Sequence, residues 1–371
     1  METNKLDEED YICLLALTKT PGIGPVTARN LIAYCKGVSN VFKATKAQLL
    51  NIPDVGEATL KSLNTPEPRQ KAEIEYIQCV KNDVSPIGYL DSEYPEALKV
   101  IHNGPLVIFK RGNLVLNDYI GVSVVGTRKP TEYGKMWAIR FAEAFALNGL
   151  NVVSGLAYGI DGQAHKAVVQ VGGITTAVLA HGLDRVYPSS HSDLAKRIVD
   201  GGGALITEYP WGTQIESNYF PARNRIIAAL SRAVVIIEAA EKGGALITAN
   251  FAFEQDREVY AVPGALGARF SEGCNLLIRK QIAQLVTDPQ QVLDAMNQQI
   301  AKVQPHLFTP VPSALTKEEQ IILNALEQNQ LNIDHLTEKT ELPSGKLLSL
   351  LLELEFKGLV VQSPGKKFRR N

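Results

Sequence analysis

Seven short, mainly apolar runs punctuate the middle of the chain, at residues 122–125, 152–153, 176–180, 205–207, 234–237, 259–262 and 285–286. Between them lie amphipathic stretches long enough for crossover helices, such as 133–148 and 161–171. Glycines close several of these stretches: Gly149, Gly172-Gly173 and Gly201-Gly202-Gly203. They match the left-handed position that ends many helices. Regular strand–helix alternation predicts right-handed βαβ units and a doubly wound, mainly parallel α/β sheet over 121–288. Residues 81–120 lead into it, with Asp91-Ser92-Glu93-Tyr94-Pro95 as a turn.

The pattern changes on both sides. Residues 6–80 read as short helices. Pro21-Gly22-Ile23-Gly24-Pro25-Val26-Thr27-Ala28 recurs in outline as Ile52-Pro53-Asp54-Val55-Gly56-Glu57-Ala58-Thr59, the pattern of a helix-hairpin-helix pair. The paired glycines of the first copy would let backbone N–H groups approach a phosphate. A tight turn that binds nothing explains them equally well. Past Gln298, Pro305, Pro310 and Pro312 read as a linker. Helical patterns at 317–328, 333–340 and 344–356 follow, then a strand at Leu359-Val360-Val361, the outline of a winged helix. Its tail holds Lys357, Lys366, Lys367, Arg369 and Arg370 and no acidic residue, either a solvated terminus or a DNA contact. The expected domains are therefore 1–80, 81–297, a linker at 298–315, and 316–371.

Composition narrows the function. At 371 residues with 45% hydrophobic content, the chain can fill two or three domain cores. The net charge of −1 draws no polyanion globally, so any nucleic-acid binding must use a local basic site. Cys13, Cys35, Cys79 and Cys274 show no CxxC spacing, which points to reduced thiols in a cytoplasmic protein rather than a metal or redox site. The acidic start has no signal-peptide pattern, and no stretch approaches 18 uninterrupted apolar residues.

One phrase stands out chemically: Phe220-Pro221-Ala222-Arg223-Asn224-Arg225, just before the apolar run 226–230. It places two arginines in the expected first turn of a helix, where the dipole is already positive. An anion best explains them, and Phe220 adds an aromatic face suited to single-stranded nucleic acid. Further unusual loops follow expected strands, where ligands of open parallel sheets bind. They are Gly126-Thr127-Arg128, Ser154-Gly155-Leu156-Ala157-Tyr158-Gly159, and Glu238-Ala239-Ala240-Glu241-Lys242-Gly243-Gly244. Gly243-Gly244 beside Lys242 reads as an anion nest. Neither GxxxxGK[ST] nor a strand-linked GxGxxG is present. Asp161 and His165 read as a helix cap and a surface histidine. Glu238 reads as an ion-pair partner orienting Lys242 or Arg223. No catalytic or metal-binding constellation emerges.

The phrases Gly126-Thr127-Arg128 with Tyr133-Gly134, Ser154 to Asp161 with Ala164-His165, and Phe220-Pro221 with Arg223 to Ala228 resemble the DNA-processing protein A (DprA, or Smf) family over residues 85–290. So do Ala245-Leu246-Ile247-Thr248-Ala249-Asn250, Val262-Pro263-Gly264 and Gly273-Cys274-Asn275-Leu276-Leu277-Ile278. The resemblance implies an extended Rossmann-like domain flanked by an N-terminal helix-hairpin-helix/SAM-like domain and a C-terminal winged helix. It also implies a cytoplasmic, non-enzymatic homodimer that binds single-stranded DNA and loads RecA recombinase during natural transformation, without a cofactor. Single-strand-binding protein is a further candidate partner. By the same resemblance Arg128, Arg223, Arg225 and Lys242 hold phosphates, and Gly126, Thr127, Ser154, Gly155 and Gly159 shape the pocket. Phe220 stacks on a base; Asn224, Gly243 and Gly244 complete the site. The glycine pair departs from the family pattern, where one glycine beside another small residue is expected. Two other classes stay open. A nucleotide-cleaving phosphoribohydrolase-like enzyme would use Gly243-Gly244, Thr248 and Glu254, and a duplex-DNA regulator would use the winged helix.

Overall fold

The structure, a computed structural model, describes residues 6–53, 55–303, 316–326, 331–340, 342–356, 359–363 and 367–370. The chain divides into two compact units between residues 297 and 298.

The first unit opens with six helices, α1 (Glu8–Lys19), α2 (Pro25–Cys35), α3 (Val38–Lys43), α4 (Lys46–Leu50), α5 (Glu57–Leu63) and α6 (Glu67–Lys81). Asp7 caps α1 by accepting from the Asp10 amide, and Glu8, Glu9 and Asp10 meet the positive end of its dipole. Every residue from Tyr11 to Leu17 is buried, as in a helix packed on all sides. Both expected hairpin turns are present, with Gly24 before Pro25 at the start of α2 and Gly56 before α5.

Nine strands follow: β1 (Ser85–Gly88), β2 (Val107–Arg111), β3 (Gly121–Val125), β4 (Asn151–Ser154), β5 (Thr175–Val178), β6 (Ala204–Thr207), β7 (Ala233–Ile236), β8 (Glu258–Ala261) and β9 (Gln284–Leu285). They form one sheet in the order β1-β2-β6-β5-β4-β3-β7-β8-β9. All pairs from β6 across to β9 are parallel. The seven expected runs all supply strands. Residues 81–120 do more than lead in: β1 and β2 extend one edge, β2 pairing antiparallel with β6. The helices between are α7 (Glu96–Lys99), α8 (Glu132–Leu147), α9 (Ile160–Gln170), α10 (Ser192–Asp200), α11 (Tyr219–Ala229), α12 (Gly244–Glu254) and α13 (Glu272–Arg279), and α14 (Pro289–Val303) follows β9. From β3 the chain moves outward through β4, β5 and β6, then crosses back to β7 and continues to β9. The order reverses between β3 and β7, and a crevice opens beyond their carboxyl ends.

Both sheet faces are covered, so strand residues contribute to two cores. Val122, Val124 and Val235 pack with Phe141 and Phe145 of α8 and Val168 of α9. Val125, Val234 and Ile236 pack with Ile227 of α11, Ala249 of α12 and Cys274 of α13. A third core is continuous between the N-terminal helices and the sheet, joining Leu14 and Leu17 to Leu179, Leu194 and Leu205. Two carboxylates lock that junction. Asp91 accepts from the Leu6 amide, the Tyr11 hydroxyl and the Gly88 amide at 2.9, 2.7 and 2.6 Å. Glu75 pairs with Lys19 at 3.2 Å and accepts from the Trp211 amide at 2.7 Å.

The expected linker at 298–315 begins inside α14, which runs to Val303; residues 304–315 lie outside the described residues. In the second unit, Thr316 and Glu319 form a capping box for α15 (Lys317–Ala325). Then come β10 (Leu331–Asn332), α16 (Ile333–Thr340), α17 (Ser344–Phe356), β11 (Val360–Ser363) and β12 (Lys367–Arg370). The three strands pair in the order β10-β12-β11. The winged-helix outline holds, and part of the basic tail is its last strand. Lys357 and Lys366 lie outside the described residues.

Removing the Asp91 carboxylate strands three donors at a buried junction. Asp91→Ala is expected to lower unfolding free energy by about 2–4 kcal/mol, measured by urea denaturation. A change under about 0.5 kcal/mol would contradict the assigned role.

Candidate nucleic-acid interface

The crevice is built from loops that hold one another. Glu238 follows β7 and is buried. Its main-chain oxygen accepts from the Thr127 amide at 2.7 Å. Its carboxylate accepts from the Thr131 amide at 2.9 Å and the Thr131 hydroxyl at 2.6 Å. Thr131 in turn caps α8 through the Gly134 amide. The expected pairing of Glu238 with Lys242 or Arg223 is therefore replaced by a clasp across the sheet's switch point, with neutral donors from the β3 loop.

The loop after β4 leans on the same structure. Gly159 takes φ +79°, and a Cβ there would sit 2.3 Å from the Thr127 oxygen. That oxygen accepts from the Ile160 amide. At Gly155 a Cβ would sit 2.3 Å from Arg223 Nη1, so the missing side chain makes room for a guanidinium. Ser154 donates to the Val124 oxygen at 2.8 Å, tying the end of β4 to β3.

Helix α11 starts at Tyr219, one turn earlier than expected, so the arginines lie inside it rather than in its first turn. They separate. Arg223 is 3% exposed. Its Nη1 donates to the Val178 oxygen, while its Nε has no hydrogen-bond partner among the described residues. Burial lowers its pKa to about 10, with the Asp161 carboxylate opposing that shift, so it stays cationic at neutral pH. Asp161 is pushed up by burial and held back by Arg223 and the Gly155 and Ala157 amides. Arg225 points elsewhere: both terminal nitrogens meet the Glu208 carboxylate at 2.7 Å. The expectation that Arg225 grips phosphate is corrected, because this bidentate pair ties α11 to the end of β6. His165 is also reassigned. It is fully buried, its Nδ1 lies 2.7 Å from the Thr175 hydroxyl, and burial lowers its pKa to about 3.

Above Arg223 lies a cavity of about 780 Å³. Of the expected site residues, Gly126, Thr127, Arg128, Phe220, Arg223, Asn224, Gly243 and Gly244 line it. Ser154, Gly155 and Gly159 support its walls from outside the lining. Lys242 is exposed beside Gly243 but does not line the cavity. Arg128 and Lys129 are exposed and enter no ion pair among the described residues. Arg128 lies over the Phe220 ring at 5.1 Å, and the Tyr187 ring packs against Phe220 at a tilt, centroids 5.7 Å apart. Gly243 precedes α12 as its N-cap and offers no side-chain cap, leaving that helix start to the cavity. Asn224 reaches the Gly244 oxygen at 3.4 Å, joining α11 to the same corner. Lys129, Tyr187, Arg269 and Phe270 also line the cavity and were missed. Lys129 is flagged by its neighbour Arg128; the other three sit in loops without a motif.

The profile of the family described as DNA recombination-mediator protein A matches residues 85–297. The chain belongs to that family. A DprA winged-helix profile matches 307–366, and a SAM-like helix-hairpin-helix tandem matches 14–63. Protein Smf of Synechocystis is 32% identical over 96% of this chain and 98% of its own length. Protein Smf of Escherichia coli is 38% identical over 74% of this chain and 75% of its own. Among solved structures, DNA processing protein A from Streptococcus pneumoniae has a TM-score of 0.62 and 31% identity, covering 78% of this chain and 98% of that one. A structure concerned with the single-stranded DNA binding mode of the Helicobacter pylori protein has a TM-score of 0.53 and 28% identity. It covers 58% of this family member and 96% of its own chain.

Arg225 and Glu208 are 10% and 18% exposed, so their pairing should exceed that of a surface pair. A double-mutant cycle with Arg225→Ala and Glu208→Ala is expected to show about 2 kcal/mol of coupling in unfolding. Coupling near zero would return Arg225 to the ligand site.

Proposed function

We propose that this protein is a recombination mediator whose cavity holds single-stranded DNA. The observation that carries the reading is the meeting, in one cavity, of unpaired cations, an uncapped helix start and an aromatic face. Arg128 and Lys129 supply mobile positive charge. Arg223 supplies a fixed guanidinium with an unused Nε. The start of α12 offers backbone donors, and Phe220 offers a stacking surface. Phosphates meet the donors, and bases stack without being read. The Helicobacter pylori relative, concerned with single-stranded DNA binding, supports this choice of ligand.

Family membership supports the wider role that we infer. The protein acts in the cytoplasm as a homodimer, protects incoming strands during natural transformation and delivers them to RecA recombinase, with single-strand-binding protein as a further partner. It works by binding rather than by bond cleavage. The phosphoribohydrolase-like alternative is weakened by Glu254, which ends α12 and does not line the cavity. The described helices include none long and apolar enough to cross a membrane.

Arg128→Ala should weaken binding to an oligothymidine several-fold. It should also reduce the slope of log K against log salt by about 0.7, one single-strand phosphate contact. Filter binding across a salt titration measures both. Wild-type affinity and slope in this variant would contradict the cavity assignment.

A further inference from the structure

The cavity has a second aromatic wall with the same composition as the first. Arg269 lies over the Phe270 ring at 5.6 Å, as Arg128 lies over Phe220 at 5.1 Å. All four residues line the cavity. Neither phenylalanine belongs to the apolar cores of the first unit. Both rings are half-buried and line the cavity, so part of each ring is exposed to it.

The two walls stand on opposite sides of the switch point. Phe220 meets Tyr187, in the segment after β5. Phe270 belongs to the segment after β8, and its oxygen accepts from the Ala239 amide, just past β7, at 2.8 Å. β5 and β7 are separated by β4 and β3, hence by three strand spacings, about 14 Å. Phe270 also sits on fixed backbone. Ser271 donates to the Ala268 oxygen at 2.8 Å, and Gly273 donates to the Ala239 oxygen at 2.9 Å. Arg269 is exposed and enters no ion pair among the described residues.

We propose that Arg269 and Phe270 form a second base-stacking subsite for the same strand. One base stacks at the Phe220 wall and a later base at the Phe270 wall. The intervening phosphates pass over Arg128, Lys129 and the start of α12. Arg269 meets the phosphate beside the second base. The ligand class is single-stranded nucleic acid of any sequence, because an aromatic face accepts every base. This subsite rests on the single-strand reading of the cavity.

The test uses full-length protein and an oligothymidine carrying one 2-aminopurine, whose fluorescence responds to stacking. Phe270→Ala is expected to weaken binding about tenfold without changing the salt slope, since stacking releases no counterions. Arg269→Ala is expected to reduce the slope by about 0.7. Phe270→Trp should retain wild-type affinity. Phe270→Leu, which keeps apolar volume and loses the ring, should weaken binding like Phe270→Ala. It decides the matter if the alanine variant fails to fold. Wild-type affinity in Phe270→Leu would overturn the subsite while leaving the cavity reading intact, provided Arg128→Ala still weakens binding. Failure of the unaltered protein to bind the oligonucleotide would overturn both.

Discussion

A single buried carboxylate holds the site together. Glu238 stands where the sheet reverses its order, and it reaches from the end of β7 to the loop after β3 through three hydrogen bonds. The loops after β3, β4 and β8 lean on that clasp. The Thr127 oxygen it positions receives the Ile160 amide and abuts Gly159. The Ala239 groups just after it hold Phe270 and Gly273. A buried carboxylate needs compensation for lost hydration, and neutral donors with aligned N–H and O–H groups supply it. Among the described residues no cation pairs with Glu238, and Arg128 on the adjoining loop enters no ion pair.

The charges divide into two populations. Arg223 and Asp161 are buried beneath the cavity and offset one another's desolvation. Arg128, Lys129 and Arg269 are exposed on its rim. Arg223 stays cationic at neutral pH, and the Asp161 carboxylate beside it holds that charge in place, so the free positive charge lies on the rim. The rim residues are exposed and enter no ion pair among the described residues. On the proposed reading, this local arrangement lets a chain of net charge −1 engage a polyanion without a basic surface overall.

The parallel part of the fold is legible in the sequence because its strands are covered on both faces and therefore almost wholly apolar. β1 is not, because Ser85-Pro86-Ile87-Gly88 is short and carries a proline, tolerated there on the sheet edge. The β3 loop is legible from Gly126-Thr127-Arg128, whose spacing is local. Arg225 is misread because its partner, Glu208, lies 17 residues earlier at the end of another strand. His165 is misread because its polar contact is Thr175, a strand residue whose inward direction no helix pattern reveals. Arg269 and Phe270 escape notice because only the fold carries their loop back to the β7 end. Local motifs reveal which loops carry donors, whereas tertiary pairing decides which of those donors stay free.

Mapping where DNA touches the protein tests the central claim most directly. An oligonucleotide bearing 5-iodouracil would be photo-crosslinked to the full-length protein and the adducts located by mass spectrometry. The account predicts adducts on aromatic residues of the cavity rim, at Tyr187, Phe220 or Phe270. Adducts confined to residues 316–371, or to the hairpin turns around Gly22 and Gly56, would contradict it.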